Sequence, residues 1–173
     1  MDTFKSLRIE QKTDHYFSIK NNRKNLKINI NSILCPFGLD EEYGNYVLKL
    51  EFDETNIKHL EIIESIRTLE NNLKNEFHAS AKEWKSLLVL RENNHLFLEA
   101  KIKKFKGKLM IDTTFDDDQH YLNTIYDLGT NKIVDVLLEI PTLWDYRKKN
   151  IPDEDNENKI GLILNINKIC IYG

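Results

Sequence analysis

The sequence predicts a mainly β domain with one long α-helix (α+β): an antiparallel barrel, closed or partly closed, with the helix packed against it. Three observations carry that prediction. Leu26, Ile28 and Ile30 alternate with Lys27, Asn29 and Asn31, the period of a strand with one face in a core and the other in water. Between Asn56 and Phe77 the apolar residues Ile57, Leu60, Ile63, Ile66, Leu69, Leu73 and Phe77 recur every three or four positions, the stripe of an amphipathic helix. Elsewhere strands and turns follow one another without strand–helix–strand alternation, and no segment repeats. One domain accommodates all 173 residues, enough for a hydrophobic core without staples. A β-sandwich is the alternative architecture.

Taken in order, residues 1 to about 13 are polar with scattered apolar positions and fit either an ordered strand or a mobile basic arm. His15 to Ile19 is a short strand, Asn21-Asn22-Arg23 a turn, and Lys24 to Leu34 the first long strand. Pro36-Phe37-Gly38 ends it, because proline lacks a backbone donor and glycine accepts a positive φ; Phe37 is expected on an outward loop. After the Tyr43-Gly44-Asn45 turn, Tyr46 to Phe52 alternates again and is expected to pair with Lys24 to Leu34 as a hairpin. Thr55 is the expected N-cap of the helix. Ala79 to Trp84 reads as a short second helix with Trp84 in the core, Leu87 to Leu90 as a core strand, and Asn93-Asn94 as a turn into a strand from Leu96 to Lys104.

Gly107 turns that strand into Leu109-Met110-Ile111, closing a second hairpin. A polar loop from Asp116 to Asn123 and a turn at Gly129-Thr130-Asn131 precede Lys132 to Ile140, which is apolar on both faces and therefore central. That strand runs on through Pro141 toward Tyr146, and Pro152 to Asn158 forms an acidic loop. Lys159 to Tyr172 is a final strand whose alternation shifts phase near Asn167, as at a β-bulge. Five to eight strands and one long helix make this a barrel of the OB type.

The formal net charge is only −3, so any anion-binding face must arise by segregation of charge. That segregation is present. Lys101-Ile102-Lys103-Lys104-Phe105-Lys106-Gly107-Lys108 is purely basic, and Lys5, Arg8, Lys12, Lys20, Arg23, Lys24 and Lys27 form a second basic region. Acid gathers at Asp112, at Asp116-Asp117-Asp118 and at Asp153-Glu154-Asp155 with Glu157. Cys35 and Cys170 lie far apart beside apolar residues, which reads as two reduced, buried thiols with no metal spacing. No apolar signal segment opens the chain, and no run approaches the ~20 apolar residues a membrane span needs. The expectation is a soluble, intracellular protein with no membrane partner.

Lys101 to Lys108 combines ammonium groups for phosphates with the ring of Phe105 for a base, the pairing that single-stranded nucleic acid requires. The competing reading is a solvated edge strand whose lysines block aggregation. A second coincidence of rings and charge is Trp144, Tyr146, Arg147, Lys148 and Lys149, against which stands a core or interface role for Trp144. Joined, the two segments would form a basic groove with stacking platforms. No Gly-rich phosphate loop or nucleophile elbow is present, and His15, His59, His78, His95 and His120 show no ligand spacing, so no catalytic residue, metal or cofactor is expected. The enzyme alternative is a Mg²⁺-dependent nuclease built from Asp112, Asp116, Asp118 and Glu139.

Set in order, Pro36-Phe37-Gly38, then Tyr43-Gly44-Asn45-Tyr46 leading into Val47-Leu48-Lys49-Leu50, the Trp84 segment, the basic strand, the Trp144 segment and Lys159-Ile160-Gly161-Leu162 form a pattern. From roughly Leu26 to Gly173 it resembles the OB-fold single-stranded DNA-binding proteins of T-odd coliphages and their relatives in nucleo-cytoplasmic large DNA viruses. The resemblance implies a non-enzymatic protein that coats single-stranded DNA without strong sequence preference during replication, recombination and repair. It also implies a viral replication compartment, replication proteins as partners and a homodimer. The family binds through basic and aromatic strand residues, which map to Lys101, Lys103, Phe105, Lys106 and Lys108, with Trp144, Tyr146 and Arg147 as additions. Phage members carry an acidic tail with a terminal aromatic, whereas this sequence stops at Tyr172-Gly173, which puts partner recruitment and tail-mediated dimerisation in doubt. The acidic loop from Asp153 to Glu157 is the candidate substitute. A module for protein or virion assembly is the third class; its mark would be an exposed apolar patch around Phe105, Trp144 and Tyr146 without a connected basic field.

Overall fold

Alternating segments joined by short turns pair with their sequence neighbours, and the first described residues do so. Leu7–Gln11 (β1) runs antiparallel to Tyr16–Asn21 (β2), with Arg8 opposite Lys20 and Ile9 opposite Ile19. The computed structural model describes residues 6–116, 124–147 and 159–173. Residues 7–11 are therefore an ordered strand, and only residues 1–5 of the expected basic arm, with Lys5, lie outside the described residues. Asn22 and Arg23, both at positive φ (49° and 66°), turn β2 into Lys24–Cys35 (β3), as a type I′ hairpin requires.

The remaining strands are Leu39–Glu42 (β4), Asn45–Glu51 (β5), Trp84–Lys85 (β6), Leu88–Leu90 (β7), Leu96–Ile102 (β8), Lys104–Phe105 (β9), Lys108–Leu109 (β10), Asp112–Asp116 (β11), Lys132–Asp145 (β12) and Ile160–Tyr172 (β13). Ile57–Glu76 is the helix, α1, and Ile125–Asp127 a 3-10 turn. These elements make the chain mainly β with one long helix. They fall into two compact units, one of Met1–Leu26, Ile63–Leu87 and Ile140–Ile163, the other of Lys27–Ile62, Leu88–Glu139 and Leu164–Gly173. β3, α1, β12 and β13 thus supply residues to both.

In the first unit β2 also pairs with the end of β12, Trp144 facing Tyr16 and Leu143 facing Phe17. Burial of Ile19, Leu26, Ile63, Ile66, Leu69, Leu73, Leu143 and Ile160 forms its core. At roughly 1.5–3 kcal/mol per fully buried aliphatic side chain, this apolar set is what holds the unit's part of the helix in place. Ala79 to Trp84 is not the expected helix. Ser80 N–H donates to Glu83 Oε2 (2.8 Å) and Glu83 N–H to Ser80 Oγ (3.3 Å), closing a single turn. Trp84 is then taken into a parallel pairing with Ile160, and its side chain is 5% exposed, in the core as expected.

In the second unit β5 lies between β4 and β8, Leu48 facing Leu39 on one side and Ala100 on the other. The hairpin partner of β5 is accordingly β4, through Tyr43 and Gly44 at positive φ (50° and 77°), while β3 meets β5 with Leu34 opposite Glu51. An acidic strand, Leu39-Asp40-Glu41-Glu42, has no apolar alternation to announce it, but Lys49 spans Asp40 (3.0 Å) and Glu42 across the pair. β7 runs antiparallel to β8, whereas β8 and β11 lie parallel to β13, with Lys101 opposite Asn165 and Thr114 opposite Cys170. The start of the expected polar loop is therefore strand; residues 117–123 lie outside the described residues.

The helix begins one residue later than expected. Asn56, not Thr55, is its N-cap, accepting from Lys58 N–H on Oδ1 (3.0 Å), while Thr55 donates to Asp53 (2.6 Å). Its first turn leaves Ile57 and Leu60 72% and 44% exposed, and His59 and Ile62 point inward instead. His59 Nδ1 accepts from Asp53 N–H (3.0 Å), which leaves its proton on Nε2 for the Asn31 carbonyl (3.0 Å). Cys35 is buried and Cys170 half-buried, both free thiols. Among the described residues no helix is long and apolar enough to cross a membrane.

Candidate nucleic-acid interface

Strand alternation places Lys101 outward, between the buried Ala100 and Ile102. From Lys103 to Lys108 every residue is exposed. β9 and β10 form a two-residue-turn hairpin, Phe105 opposite Lys108 and Lys104 opposite Leu109, with Lys106 and Gly107 at φ 49° and 78°. Two left-handed residues in succession are what a type I′ turn needs, and Gly107 takes the second without strain. Met110 N–H closes the base of the hairpin on the Lys103 carbonyl (2.7 Å). Lys101, Lys103, Phe105, Lys106 and Lys108 are all exposed, as expected, and lie together on β8 and this hairpin. None of the four lysines forms a salt bridge with a described residue. Lys106 Nζ lies 5.5 Å from the Phe105 ring centroid, and that ring is 62% exposed.

Lys104, passed over in the sequence reading of the site, plays a different part. Its ammonium donates to the Gly44 carbonyl (3.0 Å) and sits 4.5 Å from the Tyr46 ring centroid, tying the hairpin to the β4–β5 turn. Tyr46 in turn meets Tyr126 edge to face (centroids 5.8 Å, 88°), and the nearby Glu41 carboxylate holds the Tyr46 hydroxyl above its usual pKa. Tyr43, Met110 and Tyr126 add exposed apolar surface in this unit. Tyr46 beside the Gly44 turn was a readable signal; Tyr126 lay in a stretch without periodicity and gave none.

The second set of expected residues belongs to the first unit. Trp144 is half-buried over Gly161, where an added Cβ would come within 2.9 Å of Trp144 Cζ2. Tyr146 contacts Trp144 (5.7 Å), His15 (4.9 Å) and Tyr16 (6.0 Å), and its hydroxyl shares a hydrogen bond with that of Tyr16 (2.5 Å). His15 and Tyr16 were not in the expected site, although two aromatic-rich strand segments, 15–17 and 144–146, were visible in the sequence.

Arg147 is engaged inside the protein. Its Nε and Nη2 donate to the two Asp145 oxygens (3.0 and 2.9 Å), Nη2 also donates to the Phe77 carbonyl (2.9 Å), and Glu83 lies 3.6 Å from Nη1. Asp145 chiefly raises the arginine's pKa above its ordinary value. Lys148, Lys149 and the acidic residues 153–157 lie outside the described residues. The two expected sets therefore fall in different units, each a patch by itself rather than a demonstrated single groove.

Of the four carboxylates of the nuclease alternative, the three described ones are placed otherwise than that chemistry asks. Asp112 is exposed, 3.8 Å from Lys168; Asp116 faces Tyr172 in the β11–β13 register; Glu139 is buried and accepts from Asn167 Nδ2. Asp118 and His120 lie outside the described residues. Among the described residues no group of three or more His, Cys, Asp or Glu side chains is arranged to hold a metal ion.

No protein-family model matches the chain, and no curated protein sequence does. Among solved structures it is similar to the single-stranded DNA-binding protein from bacteriophage Enc34, in a C-terminally truncated form: TM-score 0.52, 10% identity, covering 96% of this chain and 95% of that one. At that identity the likeness concerns the fold, which is mainly β, OB-like, with a packed helix.

Proposed function

We propose that this protein binds single-stranded DNA without strong sequence preference and coats it during replication, recombination and repair, in the manner of phage and large-DNA-virus single-strand binders. The observation that carries the reading is the β9–β10 hairpin with its feeding strand: four exposed lysines without a described salt bridge surround an exposed phenylalanine ring. Ammonium groups in that setting neutralise phosphates and release counterions, and the ring offers a base a stacking surface of no particular sequence. The likeness to a phage single-stranded DNA-binding protein supports the same reading. The basic field around Phe105 favours nucleic acid over a protein-assembly surface, which would be apolar without it. The aromatic cluster of Tyr16, Trp144 and Tyr146 is a second contact surface in this proposal. Arg147 holds Asp145 instead of meeting phosphate.

The test is fluorescence anisotropy with a labelled oligo-dT of about 30 nucleotides, longer than the roughly 4–16 nucleotides one OB fold covers. Salt is titrated and duplex DNA is added as competitor. Salt-dependent binding that duplex fails to compete supports the proposal. Absence of binding at low salt refutes it.

A further inference from the structure

The wall of the β9–β10 hairpin also borders an open groove of about 550 Å³, lined among others by Lys108, Leu109, Ile111, Thr113, Ile125 and Tyr126. That volume lies within the ~300–1,000 Å³ typical of small-molecule sites. Its chemistry is mixed. Ile125 is buried, Leu109 and Ile111 are half-buried, and the Tyr126 ring is 59% exposed. Lys108 has no salt bridge with a described residue, and the half-buried Thr113 hydroxyl has no hydrogen-bond partner among them. Tyr126 is held on one side by its edge-to-face contact with Tyr46, and Lys104 in turn lies over Tyr46.

We infer that this groove is a nucleotide subsite that seats one unstacked base of a bound single strand, an inference that rests on the single-strand reading above. A ring fixed by its neighbours loses little entropy when a base stacks on it. Ile111 and Ile125 supply apolar walls, and the Thr113 hydroxyl, able to donate or accept, meets the edge of any base without selecting one. Lys108 at the rim meets the adjoining phosphate. Because residues 107–109 form both the groove wall and the end of the basic hairpin, a strand whose phosphates follow the lysines delivers its bases to this groove.

Two measurements on the full chain test it. An oligo-dT of about 30 nucleotides, carrying 5-iodouracil at single positions, is irradiated in complex and the crosslinked peptide mapped; the expected attachment is Tyr126 or the 108–113 segment. Anisotropy then compares Tyr126→Ala, Tyr126→Phe and Thr113→Val. Tyr126→Ala is expected to weaken binding about tenfold, within the range for one lost stacked base, with the salt slope unchanged because no phosphate contact goes. Tyr126→Phe retains wild-type affinity and Thr113→Val loses little. If the wild type binds in a salt-dependent way but Tyr126→Ala binds equally well, or the crosslinks map elsewhere, the subsite is refuted while the single-strand reading stands. If the wild type does not bind at low salt, both fall.

Discussion

Replacing Lys101, Lys103 and Lys106 together with alanine separates a working phosphate track from a solvated edge. The three side chains are exposed and form no salt bridge with a described residue, so their removal leaves folding stability within about ±0.5 kcal/mol of wild type. Binding should respond very differently. Each lysine that meets a phosphate of a single strand contributes about 0.7 to the slope of log affinity against log salt, so the triple variant's slope should be shallower by about 2. Between 50 and 200 mM salt the wild type should then lose about 20-fold more affinity than the variant. Lys104→Ala is the internal comparator: it releases the Gly44 carbonyl and the Tyr46 ring, so it should lower stability by about 0.5–1 kcal/mol, which the triple variant does not. The assay is anisotropy with oligo-dT across a salt series, paired with denaturant unfolding. A triple variant that binds with the wild-type slope would show that these lysines never meet the strand and only guard an edge.

Three further outcomes follow from particular contacts. Arg147→Ala leaves the almost fully buried Asp145 carboxylate without its main partner and should cost about 3 kcal/mol in denaturant unfolding; loss of DNA affinity at unchanged stability would contradict the structural role. Gly161→Ala drives a methyl group into the Trp144 indole and to 3.2 Å from the Lys85 carbonyl, so about 1–3 kcal/mol should be lost together with a change in tryptophan emission. Tyr172 donates to Asp135 (2.6 Å), and that bond, with burial and the carboxylate's charge, pushes its pKa up to about 12. A raised folded-state pKa means stability that is intact below pH about 10 and falls as pH rises from about 10 to 12. Tyr172→Phe should lose that decline; an identical pH profile for the two proteins would exclude the linkage.

Period-2 alternation made β3, β5, β8 and β12 readable because each buries one or both faces, and the 3.6-residue stripe gave the helix. What escaped had no period to read. His59 fills an inward helical position through two hydrogen bonds, a solution that a search for apolar residues passes over. Ala79 to Trp84 holds good helix formers, and pairing with a strand some 75 residues later overrides them. The hairpin lysines were legible because Gly107 and the alternation before it fix which side chains leave the core. Which unit receives Trp144 depends on the pairing of β12 with β2, a long-range event that no local pattern encodes. The Asp145–Arg147 bond joins the last residue of β12 to a turn residue two positions on, and the pairing of opposite charges at that spacing is visible in the sequence.

β13 has a kinetic consequence. Its residues complete the pairing of β6 in one unit and of β8 and β11 in the other, yet all three strands precede it by tens of residues. Until β13 is available, each of those strands keeps an unsatisfied edge, and β8 and β11 flank the segment that carries the lysines. Such non-local closure is slow and exposes strand edges while it waits. The charge clustered on Lys101 to Lys108 then has a use before any ligand arrives: like-charged chains repel one another along the edges through which they would otherwise aggregate.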